Sequence, residues 1–476
     1  MKKMKKKSTH TPLLLFLTIL LCTTAPLPLY SATIETEIKA LLGVHGKKIS
    51  FSLRGPDGHE IFNINGDKSL APASIAKVVS TGCSLNILGP QFQFETFFGY
   101  KGKIEGETLK GDLVIQGGGD PSLVIEDLRE VIEKLRYVHG IKKIEGSLIF
   151  DVSYFGVKSI KMAEGFDGDN GRSFAADLTA ISMNQNSFSF WVTADHRNNQ
   201  KTRAVTLPAQ VLDIEVTNKT KIGSSTAVSV SYSPENQKAV LSGTISSDAE
   251  PKGLYRSVDD PYVYYTKLIR RLWTDSGGEW SSKEKYSIEI QPVKMTLLWK
   301  NYSRPLAKIL MDINKLSLNL GAEMTLLAAG ASKRNYPANY EKSLSVIKSC
   351  LKDFGVVEND IVLTNASGLS REAEIKTTAL TQFLYQMQKS SYSAEYLTSF
   401  SLLGIDGTTK SRLQEYAGRG RVKTGSIRGV RSITGILTSK KREPYTFALI
   451  LNGVDASDPD VKKSEDRVLE KILQTY

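Results

Sequence analysis

The stretch Pro72-Ala73-Ser74-Ile75-Ala76-Lys77, continued by "VVSTGCSLNIL" to Leu88, decides the fold. A proline and small residues open it, apolar residues recur at helical spacing, and Gly89-Pro90 closes it, so a helix is expected. Ser74 and Lys77 stand at i and i+3 at its start and share a face. A serine in that position can be activated without histidine, provided the lysine beside it has a lowered pKa. The helix N-terminus disfavours an ammonium. A lysine near pKa ~10.4 must nevertheless fall by about three units to act as a base at neutrality, roughly 4 kcal/mol. A helix dipole does not supply that much, so burial, with or without a second cation, has to supply the rest.

The texture changes on either side of this helix. Upstream, "ISFSLR", the turn "GPDG" and "HEIFNIN" read as a β-hairpin over 48–65. Downstream, residues 99–150 alternate strands and turns around the helical "IEDLREVIEKLRYVHG", and residues 185–248 are rich in β-branched and polar residues, as a small all-β unit would be. After Pro292 helices are expected in "MTLLWKNYSRPLAKILMDINKLS", "NLGAEMTLLAAGASK" and "EKSLSVIKSCLKDFG". The strands "GRVKTGSI", "RSITGILTS" and "YTFALILNG" follow, and a last helix near Glu465 to Gln474. A front hairpin and helix therefore pair with the back half, and the middle is an insertion.

The 476 residues suffice for several packed domains, and 41% hydrophobic with 24% charged residues excludes a disordered chain. Five lysines lie in the first seven residues, ahead of an apolar run from Leu13 to Cys22 and small residues up to Ala32. This reads as a secretory signal over 1–31, because ten residues are too few to cross a bilayer core of about 30 Å. Taking those five lysines from the net charge of +12 leaves +7. Export would place the protein in the periplasm. Two cysteines then remain, Cys83 and Cys350, for which a bridge stays open. Cys83 lies nine residues past Ser74, about half a rotation round the helix, and reads as core packing.

Several chemistries drop out. His10, His45, His59, His139 and His196 share no ligand spacing, and there is no G-x-S-x-G elbow. Neither a metal site nor a cofactor is expected. The run Gly117-Gly118-Gly119-Asp120 lacks the Gly-Lys-Ser/Thr of a phosphate loop and reads as a turn. Basic residues are spread among acids, so nucleic acid is not expected as a partner.

S-x-x-K recurs at Ser282/Lys285 and Ser345/Lys348, both in polar or amphipathic stretches that read as solvated faces. An accompanying S-x-N occurs at Ser84/Asn86, Ser182/Asn184 and Ser317/Asn319. The first is some 15 Å along the same helix from Ser74. The third ends one helical pattern and precedes another, a loop suited to presenting polar tips, and is preferred. Lys423-Thr424-Gly425 occurs once, on an expected strand. There Gly425 would allow close approach of a substrate backbone, and Lys423 and Thr424 could hold a terminal carboxylate.

In that order, Ser74-x-x-Lys77, Ser317-x-Asn319 and Lys423-Thr424-Gly425 resemble the motif set of penicillin-binding proteins and serine β-lactamases. The 243-residue gap between the first two, with "GGGDPSL", "SFAADLTAISMNQNSFSFWV", "NASGLSR" and "LLGIDGTTKSR", resembles the D-alanyl-D-alanine carboxypeptidase/endopeptidase family of class C penicillin-binding proteins. Leu318 and Asn365-Ala366 stand where that family usually has Asp and Asp-Gly.

The resemblance implies an α+β fold. Its transpeptidase domain, an antiparallel sheet flanked by helices, would occupy 32–98 and 292–476. Nested, mainly β insertions would occupy 99–184 with 249–291, and 185–248. It implies Ser74 as nucleophile, Lys77 as base, Ser317, Asn319 and Lys423 as proton relays and holders, and backbone N–H groups of Ser74 and Ser426 around the oxyanion. Thr424, Gly425 and Ser426 would bind substrate. Asp169, Phe174 and Arg371 would form a side pocket for a diamino-acid stem residue, with Arg428 nearby. The implied partners are peptidoglycan stem peptides and β-lactams, the latter as covalent inhibitors. Peripheral membrane association and a homodimer stay open. The alternatives are a β-lactamase or D-amino-acid esterase of the same fold, and a non-catalytic cell-wall-binding protein.

Overall fold

The computed structural model describes residues 28–46, 48–162, 171–195, 201–209 and 211–476. Its central feature is a six-stranded antiparallel sheet in the spatial order Ser401–Leu402, Gly420–Ile427, Val430–Thr438, Pro444–Asn452, Ile49–Arg54, Glu60–Ile64. The front hairpin joins the C-terminal strands through Ile49–Arg54, whose Phe51 faces Leu449 and Leu53 faces Phe447. These long-range pairs bring the two ends of the sequence into one sheet. Apolar residues alternate to both faces of the sheet, so both need covering. Helices Pro28–Gly43 and Pro459–Thr475 cover one face, with Ile34, Ile38, Val468 and Ile472 packed on Phe447 and Leu449. Helices Ala76–Leu88, Leu306–Leu316, Asn319–Arg334 and Thr377–Gln388 lie on the other side.

Ala76–Leu88 is buried on all sides from Ala76 to Leu85, which is the place of an all-round apolar helix. Cys83 is bonded to Cys350 of helix Tyr340–Asp353, so the expected core residue is also half of a disulfide.

The segment between these halves builds a seven-stranded sheet. Within it Glu95–Glu105 pairs with Thr296–Tyr302, which carries this sheet beyond the expected edges at 98 and 292. The strand Thr296–Tyr302 corrects the expected helix over 295–302: helix begins only at Leu306. Two local causes act here. Pro305 lacks an N–H and sits just ahead of the helix, and the open edge of Glu95–Glu105 offers hydrogen bonds to the residues before it. Helix Pro261–Asp275 buries Tyr262, Tyr265 and Trp273 against this sheet.

Nested further in, the sheet Lys252–Ser257, Ser187–Ala194, Thr202–Leu207 packs Phe188, Phe190 and Val192 on Val230, Leu241 and Ile245 of a four-stranded sheet. Strand Lys252–Ser257 thus belongs with the all-β unit, beyond its expected end at 248. The Gly117-Gly118-Gly119-Asp120 run is irregular backbone leading to a bridge from Asp120 to Ile181, and the turn falls just after it at Pro121-Ser122, where the Asp120 carboxylate accepts the Ser122 N–H and hydroxyl, both at 2.7 Å. Among the described residues no helix is long and apolar enough to cross a membrane.

Candidate active site

Ser74 lies not in the α-helix itself but in a 3-10 turn, Ala73–Ile75, immediately ahead of it. Side chains three apart eclipse in that geometry, so Ser74 still points along Lys77. The Lys77 Nζ stands 2.9 Å from Ser74 Oγ, and it donates to Asn319 Oδ1 at 2.7 Å and to the Ser367 carbonyl at 2.8 Å. Two carbonyl acceptors occupy both N–H bonds of a neutral amine, which leaves its lone pair towards the serine hydroxyl. Lys77 is completely buried, and that burial brings its pKa down to about 7. Glu323 opposes the shift. Burial thus supplies what the dipole does not. Ala73, just before the nucleophile, has a positive φ of 51°, a strained backbone for a residue with a Cβ.

Asn319 arrives from the start of helix Asn319–Arg334. Ser317 caps the preceding helix in a left-handed conformation, φ 60°, so the chain reverses within two residues and both polar tips face the nucleophile. Lys423 approaches from strand Gly420–Ile427, and its Nζ donates to Ser317 Oγ at 2.8 Å and to the Thr424 carbonyl at 2.6 Å. Lys423 is fully buried, and burial together with the neighbouring charge of Lys77 holds its ammonium well below the ordinary lysine range. Two of the Lys423 donors are thus engaged by Ser317 and the strand backbone. Thr424 bonds Thr408 at 2.8 Å, and Ser426 is exposed.

Gly425 permits a close approach, though by the protein's own chain. A Cβ there would lie 2.2 Å from Ser432 Oγ and 2.9 Å from the Ser74 backbone nitrogen. The glycine lets the strand press against the nucleophile's turn and sets Ser426 beside Ser74. Beyond Val422 this strand has no sheet partner on its outer side among the described residues, because Ser401–Leu402 pairs only with Val422 and Arg421.

A hollow of about 1170 Å³ opens over these groups, lined by Ser74, Ser317, Asn319, Ser426, Phe174 and Arg428 among others. Phe174 also gives its carbonyl to Asn319 Nδ2 at 2.8 Å, tying the insertion to the catalytic helix. Arg371 donates to the Arg428 carbonyl at 3.1 Å, next to the hollow. Asp169 lies outside the described residues. The other serine motifs are elsewhere: Ser345, Lys348 and Lys285 are exposed, Ser84 is buried within its helix, and the buried Ser182 donates to the Thr179 carbonyl.

Glu323 and the Ser367 carbonyl were not singled out in the sequence. Glu323, one turn after Asn319 and fully buried, accepts the N–H groups of Ala366 and Ser367, each at 2.8 Å, and the Tyr340 hydroxyl at 3.0 Å. It thereby fixes the Ser367 carbonyl that receives Lys77. An acid within the apolar "NLGAEMTLLAAG" was the available clue. Among the described residues no cluster of three or more His, Cys, Asp or Glu could hold a metal ion.

A serine hydroxyl on a buried lysine, a second lysine on a second serine, and an open strand edge beside both define a serine-lysine acyl-transfer enzyme on a penicillin-binding-protein type of fold. Residues 45–473 match the D-Ala-D-Ala carboxypeptidase 3 (S13) family, and the chain belongs to that family of serine peptidases. It is 26% identical to the D-alanyl-D-alanine carboxypeptidase DacB of Haemophilus influenzae over 88% of each chain. It is 23% identical to the D-alanyl-D-alanine carboxypeptidase of Actinomadura sp. over 84% of this chain and 77% of that one. The crystal structure of penicillin binding protein 4 from H. influenzae superposes with a TM-score of 0.75 at 23% identity, over 92% of this chain and 99% of that one.

Proposed function

We propose that the protein is an exported DD-peptidase. It hydrolyses the D-Ala-D-Ala end of peptidoglycan stem peptides, and the D-amide cross-links between stems, through an acyl-enzyme on Ser74. The observation that carries this reading is the contact of Ser74 Oγ with Lys77 Nζ at 2.9 Å, with the lysine poised near neutrality by burial. A base of matched pKa within hydrogen-bond reach is what general-base activation of a serine requires.

In the first half-reaction Ser74 Oγ attacks the carbonyl carbon and its proton passes to Lys77. The oxyanion is met by the backbone N–H groups of Ser74 and Ser426, each such donor contributing about 2.7–4 kcal/mol. The C–N bond then breaks, and the departing amine takes a proton through Ser317, whose hydroxyl Lys423 holds at 2.8 Å. Asn319, fixed between Lys77 and the Phe174 carbonyl, orients the substrate amide. Water next attacks the ester with Lys77 again as base, and Ser74 is regenerated. The substrate's extended backbone adds to the free edge of Gly420–Ile427, and Thr424 and Ser426 meet its terminal carboxylate within the field of Lys423. Asp169, Phe174, Arg371 and Arg428 receive the stem's diamino acid.

A β-lactam follows the same acylation, but its amine stays tethered and blocks the water. A solved form of the H. influenzae protein is complexed with a novel β-lactam. The basic leader and apolar run support export to the periplasm, and so does the Cys83–Cys350 bridge, since disulfides persist in oxidising compartments.

The test is incubation of the purified protein with a fluorescent penicillin and then with a stem pentapeptide. Covalent label on Ser74 and release of D-alanine are expected. Absence of both overturns the reading, and rapid turnover of the penicillin without cleavage of the peptide would favour a β-lactamase.

A further inference from the structure

The outward face of strands Lys252–Ser257, Ser187–Ala194 and Thr202–Leu207 carries two aromatic rings that pack no core. Tyr255 and Trp191 meet edge to face, ring centroids 6.4 Å apart, and Tyr255 is 51% exposed. Both stand over Gly253, where a Cβ would come within 3.1 Å of Trp191 and 3.3 Å of Tyr255. The Trp191 indole N–H is held by Ser189 Oγ at 2.9 Å, which fixes the ring.

These rings join two hollows. Trp191 lines one of about 580 Å³ and Tyr255 lines another of about 550 Å³. The second hollow runs against Leu318 and Ser173, whose chain neighbours Ser317, Asn319 and Phe174 line the catalytic hollow. The ring pair bridges two separately lined hollows, and together they form a track from the nested β unit towards the back of the active-site wall.

The second hollow is amphipathic: Leu123, Val124, Ile309 and Leu316 give it an apolar wall of the kind an acetamido methyl packs on, and Gln185 gives it a polar group. Asn184, Gln185 and Asn186 are consecutive left-handed residues, φ 50°, 56° and 52°, a backbone that non-glycine residues avoid. Asn184 Oδ1 accepts the Ile125 N–H at 3.3 Å, and Asn186 Nδ2 donates to the Asp177 carbonyl at 2.7 Å. The turn is pinned on both sides of Gln185, which lines the hollow with Ser173 and Ser187. The charges along the track are paired off: Arg304 with Asp312 at 2.6 Å and Arg203 with Asp195 at 3.2 Å.

We propose that this track binds the glycan strand of the substrate, a polymer of N-acetylated amino sugars that is neutral where its lactyl carboxyls are amidated by the stems. Pyranose C–H faces stack on the Trp191 and Tyr255 rings, whose π-faces are electron-rich. The acetamido groups match the donor and acceptor of the Gln185 amide. A peptide would seek an open strand edge, whereas this is the face of a sheet. The proposal rests on reading the cleft as a peptidoglycan site, and extends it from the stem peptide to the sugar that carries the stem.

The test uses the full-length protein and neutral β-1,4-linked oligomers of N-acetylglucosamine as the glycan probe, with binding followed by calorimetry. Saturable binding by the wild type is expected, weakened about fivefold to tenfold in W191A/Y255A. KM for a glycan-linked stem peptide should rise by the same factor, with kcat, penicillin labelling and KM for the free peptide unchanged. No glycan binding by the wild type, a quantity that needs no variant, overturns the proposal. Equal losses on free and linked peptide also overturn it, as does loss of self-association in the variant with glycan binding retained, which marks a protein interface. Wild-type penicillin labelling and D-alanine release separate the two readings: absence of both defeats the DD-peptidase, whereas their presence without glycan binding defeats the track alone.

Discussion

Lys77 and Lys423, both fully buried, each hold one serine: Lys77 Nζ lies 2.9 Å from Ser74 Oγ and Lys423 Nζ 2.8 Å from Ser317 Oγ. Two ammonium groups sharing one buried site repel, which favours the neutral form of at least one of them. Burial lowers both pKa values, Lys77 to about 7 and Lys423 well below the ordinary lysine range, and the charge of Lys77 adds to the fall at Lys423.

The acylation rate should therefore rise with pH. Lys77 must be neutral to take the serine proton, so penicillin acylation should increase as pH rises through about 7 and flatten above it. Stopped-flow labelling between pH 5 and 9 checks this, and a rate independent of pH across 6–8 would count against Lys77 as the base. Lys77→Met should lower the rate by about 10²–10⁴-fold, the usual contribution of a positioned base, without unfolding the protein.

Glu323→Gln should move that profile. The carboxylate raises the pKa of Lys77, so its removal should shift the rising limb to lower pH. The amide still accepts one N–H but faces the other with a donor, so stability should fall by about 1–3 kcal/mol, read as a lower Tm. An unshifted profile would show that the carboxylate's field does not reach Lys77.

Gly425→Ala tests the close approach of strand and nucleophile. The new Cβ would lie 2.2 Å from Ser432 Oγ, 2.9 Å from the Ser74 nitrogen and 3.0 Å from the Pro72 carbonyl. Relief requires a backbone shift of the nucleophile's turn, and overpacking of this kind costs about 1–3 kcal/mol. Penicillin labelling should fall at least about tenfold, a 1.4 kcal/mol displacement of the donors around the oxyanion. Ser432→Ala added to it should not restore activity, because the two backbone contacts persist.

Cys83→Ala should destabilise the fold while leaving the chemistry. The bridge joins two buried cysteines 267 residues apart, on two different helices. Its loss should cost about 2–5 kcal/mol, seen as a lower Tm, with labelling of Ser74 retained at 25 °C. A Tm unchanged by reductant or by the substitution would contradict this.

How much of this was legible depends on the range of the interaction. Ser74 and Lys77 are one turn apart, so their shared face followed from local geometry, and it survived the change from α-helix to 3-10 turn. The stretch 295–302 misled because its apolar spacing suits a short helix as well as a strand. The deciding partner, Glu95–Tyr100, lies some 200 residues away. Glu323 was missed for the same reason: its role consists of hydrogen bonds to Ala366 and Ser367, which no periodicity displays.

The sequence by itself determined the order of the three motifs, the hairpin that must find the C-terminal strands, and the lack of a G-x-S-x-G elbow. These are matters of residue type and spacing, carried by one chain at a time. Only the tertiary structure decided that burial, against the pull of Glu323, brings Lys77 to neutrality, that Lys423 donates to Ser317, and that Cys83 meets Cys350. Each depends on which side chains exclude water from which others, and that is settled when segments hundreds of residues apart pack together.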